Sequence, residues 1–239
     1  MIMPEIWLRK VAVAETAAPA EAAAENVTAM ENVTANKLLN LEFDALDLML
    51  KEYALKNNVP IILDEGLAFL ESVIALKRPK RILEIGTAIG YSAIRMHKVC
   101  GSIVYTIERN PAMVELAGNY IRQAGLEDKI HLIFADALEA FETVKNLEFD
   151  MIFIDAAKAQ YLKFFMLYTP LLSEHGIVVC DNMLFHGLVE DTANYENQSR
   201  GVRGLIRKLS SFHQALLENP EYKTSIFHIG DGMSVSVKK

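Results

Sequence analysis

Five short apolar runs in this chain each meet an acidic residue at the same point. Ile82-Leu83 through Ile85 carries Glu84 just before Gly86, and Ser102–Ile107 ends on Glu108. Lys129–Phe134 leads to Asp136, Phe149–Ile154 to Asp155, and Gly176–Cys180 to Asp181. Helical patterns separate the runs. Apolar runs alternating with helices predict parallel strands, and so an α/β, doubly wound, mostly parallel sheet. In such a sheet the carboxyl ends of the parallel strands share one edge, and ligands bind beyond it. Ordinary solvation scatters carboxylates, so five at one edge point to a site.

Two helices are expected before the first strand. Leu41, Phe43, Leu46, Leu48, Met49, Tyr53 and Leu55 recur at largely helical spacing until Asn57-Asn58-Val59-Pro60, where the residue before proline disfavours helix. Asp64 is positioned to cap the second helix, with Leu67, Leu70, Ile74 and Leu76 turned inward until Pro79 ends it. Asn110-Pro111 opens a later helix, and another is expected from about Arg203 to Leu217. Gly230-Asp231-Gly232 between Ser225–His228 and Met233–Val237 signals an antiparallel hairpin. The sum is a seven-stranded sheet, Rossmann-like, with a C-terminal hairpin and N-terminal helices. Residues 37–239 form that domain. Residues 1–36, rich in Ala and Glu and poor in large apolar groups, read as a flexible or weakly helical tail.

Composition bounds the function. The 239 residues carry a formal charge of −7, which argues against broad nonspecific nucleic-acid binding. A local basic face stays open, at Lys77-Arg78-Pro79-Lys80-Arg81 or at Arg200, Arg203, Arg207 and Lys208. No apolar run is long enough for a membrane span. Two cysteines, Cys100 and Cys180, with no secretion pattern at the N-terminus, lead us to expect a cytoplasmic protein.

The first strand turns on Gly86-Thr-Ala-Ile-Gly90 into a helix beginning at Tyr91-Ser92. Glycine lets a ligand lie against bare backbone, and the helix start adds free N–H groups. An ordinary strand-to-helix turn has the same outline. Glu108, about 20 residues on, stands where an acid accepts ribose hydroxyls. The loop is not Gly-x-Gly-x-x-Gly, and acids along this edge would repel a pyrophosphate, so an NAD oxidoreductase fits poorly. S-adenosylmethionine fits better: it brings a sulfonium, an ammonium and an adenosine, with Asp136-Ala137 facing the adenine. Asp155, Asp181 and Asn182 offer oxygen donors from neighbouring strand ends, which suits Mg²⁺. The same residues also cap loops. Lys158, three residues past Asp155, is a candidate general base or oxyanion clamp, or else a solvated helix lysine.

Together, Glu84-Ile-Gly86-Thr-Ala-Ile-Gly90-Tyr91-Ser92, Glu108-Arg109, Asp136-Ala137, Asp155-Ala-Ala-Lys158-x-x-Tyr161 and Asp181-Asn182 resemble the metal-dependent O-methyltransferases of the catechol and caffeoyl-CoA type. The likeness runs from about Asn40 to the C-terminus. Val59-Pro60-Ile61, Ala93-Ile94-Arg95-Met96, Phe185-x-Gly187-Leu188-Val189 and the late basic helix are similar to the bacterial tRNA 5-hydroxyuridine methyltransferases. Departures are Ala159 where that branch has Gly, His186, and fewer cations from Arg200 to Lys208.

The resemblance implies a class I methyltransferase fold, S-adenosylmethionine as donor, Mg²⁺, and a homodimer. It places donor contacts on Ile62, Glu84, Gly86, Tyr91, Ser92, Glu108, Asp136, Ala137 and Asp155. It places the metal on Asp155, Asp181 and Asn182, and catalysis on Asp155 and Lys158. The implied substrate is the wobble uridine of a tRNA anticodon loop, carrying a 5-hydroxyl, with Arg200, Arg203, Arg207 and Lys208 on phosphates. A small catechol-like substrate would use the same chemical residues. A noncatalytic adenosyl-ligand binding protein is the alternative from another class, and it leaves the metal set without a purpose.

Overall fold

The structure, a computed structural model, describes residues 43–191 and 194–239. The expected tail at 1–36 and the first residues of the domain lie outside the described residues.

Two helices lead into the sheet, α1 (Ala45–Asn57) and α2 (Asp64–Lys77). Then come β1 (Arg81–Ile85), α3 (Tyr91–Cys100), β2 (Ile103–Glu108), α4 (Pro111–Gln123), β3 (Ile130–Phe134), the single turn α5 (Phe141–Val144) and β4 (Phe149–Ile154). The chain continues through α6 (Tyr161–Tyr168), β5 (Leu172–Cys180), α7 (Arg200–Leu217), β6 (Tyr222–Phe227) and β7 (Met233–Lys238). The seven strands order as β3-β2-β1-β4-β5-β7-β6. Strands β1 to β5 pair in parallel, and β7 joins β5 and β6 antiparallel. The doubly wound sheet with its closing hairpin is the architecture the alternation of runs predicts.

Each central strand is buried on both faces, as an apolar run without alternation requires. Ile82, Val104, Met151, Phe153, Ile177 and Val179 join α1, α2, α3 and α4 in one core. Leu83, Ile85, Ile107, Ile152, Ile154, Val178 and Cys180 join α6 and α7 in the other. Successive strand residues thus feed opposite layers.

Local readings shift in places. Asp64 is the first residue of α2 rather than its cap; Leu63 holds the cap position without a side-chain bond, and Asp64 pairs with Lys51 at 2.7 Å. Leu76 is 87 % exposed, not inward, because the buried stripe of α2 runs through Leu67, Leu70 and Ile74 at steps of three and four. The strand before Asp181 begins at Leu172 and the late helix at Arg200, where Ser199 caps it. Among the described residues, no helix is long and apolar enough to cross a membrane.

Candidate active site

The carboxyl ends of β1 to β5 open on a cavity of about 540 Å³. Its walls come from the α1–α2 connection, the loop after β1, and the ends of β2, β3 and β4. A volume of that size suits one small ligand.

The loop after β1 is built for close approach. Gly86 has φ +105°, and a β-carbon there would stand 2.0 Å from the Asp155 carbonyl oxygen. No residue with a side chain fits that backbone, so the loop after β1 lies directly against the end of its neighbour β4. The Gly86 N–H donates to Ile107 O at 3.0 Å, which binds the loop to β2 as well. Gly90, at φ +86°, then starts α3.

Glu108 ends β2 on the cavity wall. Its carboxylate accepts the Ala88 N–H at 3.0 Å, the Arg109 N–H at 2.9 Å and the Asn110 N–H at 2.8 Å. It therefore pins the glycine loop to the end of β2 while still facing the cavity. Asp136, two residues past β3, accepts the Leu138 N–H at 2.9 Å and pairs with Arg109 at 3.1 Å. The Leu138 N–H, then Arg109, hold its pKa below the usual carboxylate value. Ile62, Gly86, Tyr91, Ser92, Ala137, Asp155, Lys158 and Asn182 complete the set of expected residues that line the cavity. The Tyr91 hydroxyl is buried beside it without a hydrogen-bond partner among the described residues.

Glu84 is placed differently. It lies inside β1, fully buried, and is not on the cavity wall. Ser92 Oγ and Thr106 Oγ1 donate to its two oxygens, each at 2.5 Å, and Thr106 shares a further hydrogen bond with Thr87. Burial, partly offset by those two hydroxyls, raises its pKa to about 7. Glu84 thus joins β1, β2 and the first turn of α3 beneath the donor loop. Sequence does not mark either hydroxyl: Thr106, in β2, reads as β propensity, and Thr87 as an ordinary loop residue.

At the other end of the cavity, the Asp155 N–H donates to Ile85 O at 3.0 Å and the Asp181 N–H to Ile154 O at 3.1 Å. The two aspartates therefore cap adjacent strands. Burial first, and then the charge of Asp181, push the pKa of Asp155 up to about 7, against the pull of Lys158. Burial also raises Asp181, which is 2 % exposed, while its bonds to Asn182 hold it back. Asn182 has φ +58° and returns its N–H to Asp181 Oδ1 at 2.5 Å. Lys158 Nζ donates to Asn182 Oδ1. Lys158 opens a 3₁₀ turn, Lys158–Gln160, and is not one turn into a helix.

Among the described residues, no three His, Cys, Asp or Glu side chains converge as a metal cluster. The candidate set is two carboxylates and one amide. Its chemistry fits a hard divalent ion: the buried Asp181 raises the pKa of the half-buried Asp155, a sign of a site short of positive charge, and all three donors are oxygens.

The cations are dispersed. Arg203 pairs with Glu196 at 3.2 Å, while Arg200, Arg207 and Lys208 are exposed; none of the four lines the cavity. His213 Nε2 lies 2.8 Å from Met183 O, which ties α7 to the loop after Asn182. The Lys80 and Arg81 N–H groups bond to Asp150 at the amino end of β1, so that cluster sits at the opposite edge of the sheet from the cavity.

Known proteins match this arrangement. A caffeoyl-CoA O-methyltransferase of Populus kitakamiensis is 30 % identical over 193 residues, 77 % of this chain and 80 % of that protein. A solved Staphylococcus aureus structure, provisionally described as a caffeoyl-CoA O-methyltransferase, is 38 % identical with a TM-score of 0.80, covering 88 % of this chain and all of that one. The Podospora anserina methyltransferase PaMTH1, solved with S-adenosylhomocysteine bound, gives a TM-score of 0.77 at 25 % identity over 95 % of this chain and all of that one. The O-methyltransferase family model matches residues 42–239. On that match the chain belongs to the O-methyltransferase family.

Proposed function

We propose that this enzyme methylates the 5-hydroxyl of 5-hydroxyuridine at the wobble position of tRNA, with Mg²⁺ held by Asp155, Asp181 and Asn182. The observation that carries the chemistry is Asp155, on the cavity wall with Lys158 and Asn182 and repelled by the buried Asp181 behind it. A 5-hydroxyuracil presents two adjacent oxygens, as a catechol does, and such a pair suits a chelating site. Mg²⁺ there would lower the pKa of the hydroxyl and stabilise its oxyanion.

The residues of the chain then divide the work. Glu108 receives the ribose hydroxyls of the donor, and Asp136 with Ala137 borders its adenine. Gly86 gives the donor's amino-acid end bare backbone. Asp155 faces both halves of the cavity and so sets the distance between donor and acceptor. Lys158 takes the hydroxyl proton as a neutral amine or holds the oxyanion as an ammonium, and its bond to Asn182 keeps its nitrogen at the acceptor end. Much of the rate enhancement is positioning of this kind.

Support for the RNA substrate lies in α7. It packs on the Lys158–Gln160 turn and is tied to the acceptor loop, so its exposed Arg200, Arg207 and Lys208 sit on an element that borders the acceptor end. A small catechol-like acceptor is the second reading. It is favoured by the pairing of Arg203 with Glu196, which removes one cation from that face.

The test is a comparison of modified nucleosides in tRNA from cells with and without the protein. Loss of 5-methoxyuridine, with 5-hydroxyuridine left in its place, is the expected result. Unchanged 5-methoxyuridine, together with fast methylation of a free catechol by the pure enzyme, would replace the RNA reading with the small-molecule one.

A further inference from the structure

We infer that Arg95 is a positioning residue that fixes the α1–α2 hairpin as a wall of the donor cavity, and so sets donor affinity without touching the donor. The inference rests on the donor reading and adds a residue outside the site.

Asn57, Asn58, Val59, Pro60, Ile61 and Ile62, the end of α1 and its connection to α2, form one side of the cavity. Neither helix belongs to the sheet, so something must fix where that wall stands. The hairpin packs on α3 through Leu50, Ala54, Leu67, Leu70 and Ile74. Apolar packing is non-directional and leaves sliding and rotation weakly restrained.

Arg95 supplies direction. It sits on α3, one turn after Tyr91, and is 1 % exposed. Its Nη1 donates to Asp47 Oδ2 of α1 at 2.7 Å, and its Nε to Glu71 Oε1 of α2 at 2.7 Å. One planar fork therefore grips both helices. The Phe43 ring covers the guanidinium at 4.7 Å, and Lys98 adds bonds to Asp44 and Asp47 at 2.7 and 2.8 Å. Asp44 and Asp47 also form the capping box that starts α1, so the grip reaches the helix terminus.

The other end of α3 is equally fixed. Ser92 bonds to Glu84 beneath the donor loop, and residues 91–96 are all buried. Helix α3 is thus a rigid spacer with the donor loop at its start and the hairpin clamped one turn along. Buried ions are costly to desolvate, and an apolar cluster of the same shape often serves stability as well or better. An ion cluster retained at such a junction is therefore suited to fixing geometry.

Two variants test this: Arg95→Lys, which keeps the charge but has no fork to bridge both carboxylates, and the neutral combination Asp47→Asn, Glu71→Gln, Arg95→Met. Each is assayed for S-adenosylhomocysteine affinity by calorimetry, for S-adenosylmethionine KM against kcat, and for hydrogen exchange in 57–62 and in 149–154. The expected result is a Kd and a donor KM raised about tenfold, as when a competent wall is populated a tenth of the time, with kcat at saturating donor within about twofold. Exchange quickens in 57–62 and stays slow in 149–154. A folded variant that binds S-adenosylhomocysteine like the parent overturns the inference. Loss of fold in both variants assigns the cluster to global stability and overturns it too. Failure of the parent itself to bind S-adenosylhomocysteine would instead sink the donor reading.

Discussion

Gly86 and the carbonyl oxygen of Asp155 are in direct backbone contact: any β-carbon on the glycine would overlap that oxygen at 2.0 Å. The residue that opens the donor loop and the residue that heads the acceptor set are therefore one mechanical unit. Gly86→Ala combines this clash with a φ of +105° that alanine avoids. We expect a loss of about 3 kcal/mol or more in unfolding free energy, with donor affinity falling alongside. Chemical denaturation and S-adenosylhomocysteine calorimetry read the two effects. An alanine variant with the parent's midpoint and affinity would refute the contact.

How far the sequence reaches is shown by individual residues. The parallel strands are legible because an uninterrupted apolar run can only be buried on both faces. Three of the five acids, Glu108, Asp136 and Asp155, follow or close their strands and line the cavity, while Asp181 follows its strand but is buried behind the wall. Glu84 looks the same in sequence, yet it lies one residue inside β1, opposite Thr106 of β2. Its side chain is consumed there by hydroxyls that sequence spacing does not mark. Arg95 is the opposite case. A lone arginine in a helix reads as solvated, and its partners Asp47 and Glu71 are 48 and 24 residues away. Only tertiary packing makes it a buried bridge. Leu76 is exposed because the spacing of Leu67, Leu70 and Ile74 leaves it off their stripe.

The buried position of Glu84 predicts a pH dependence of stability. Its pKa rises from 4.5 to about 7 on folding, so between those values the folded state holds a proton that the unfolded state has lost. Stability therefore falls as pH rises from about 4.5 through about 7, and is level above. The span is worth about 3 kcal/mol at full burial. Asp155, also raised to about 7, acts in the same direction. Asp181 and Glu71 are raised as well, so thermal unfolding against pH is compared between an Asp155→Asn background and the same background carrying Glu84→Gln. The added substitution should reduce the slope without abolishing it, and an unchanged slope would assign the proton elsewhere.

The paired carboxylates predict opposite effects with and without Mg²⁺. With no divalent ion at neutral pH, Asp155→Asn relieves repulsion from Asp181, so the variant should unfold no earlier than the parent. At Mg²⁺ of about 100 times its Kd, the parent should gain about 2.7 kcal/mol and the variant little. Asp155→Ala should abolish turnover, and excess chelator should do the same to the parent. Full activity under either condition would remove the metal from the mechanism, and Mg²⁺-independent unfolding of the parent would remove it from the site.

Lys158 is held by the Asn182 amide oxygen, not by a carboxylate, so its ammonium stays beside the two aspartates without being paired off by either. A lysine that only solvated the surface could be removed at little cost. One that accepts the substrate proton or holds its oxyanion acts mainly in the transition state, where loss of such a group lowers kcat by about 10² to 10⁴. We therefore expect Lys158→Met to keep the parent's S-adenosylhomocysteine affinity and to lose kcat on that scale. The pH profile separates the two roles. If Lys158 takes the proton, the variant's rate recovers as rising pH ionises the acceptor hydroxyl unaided. If it holds the oxyanion, the deficit persists at every pH. A variant with the parent's kcat at neutral pH would exclude both roles.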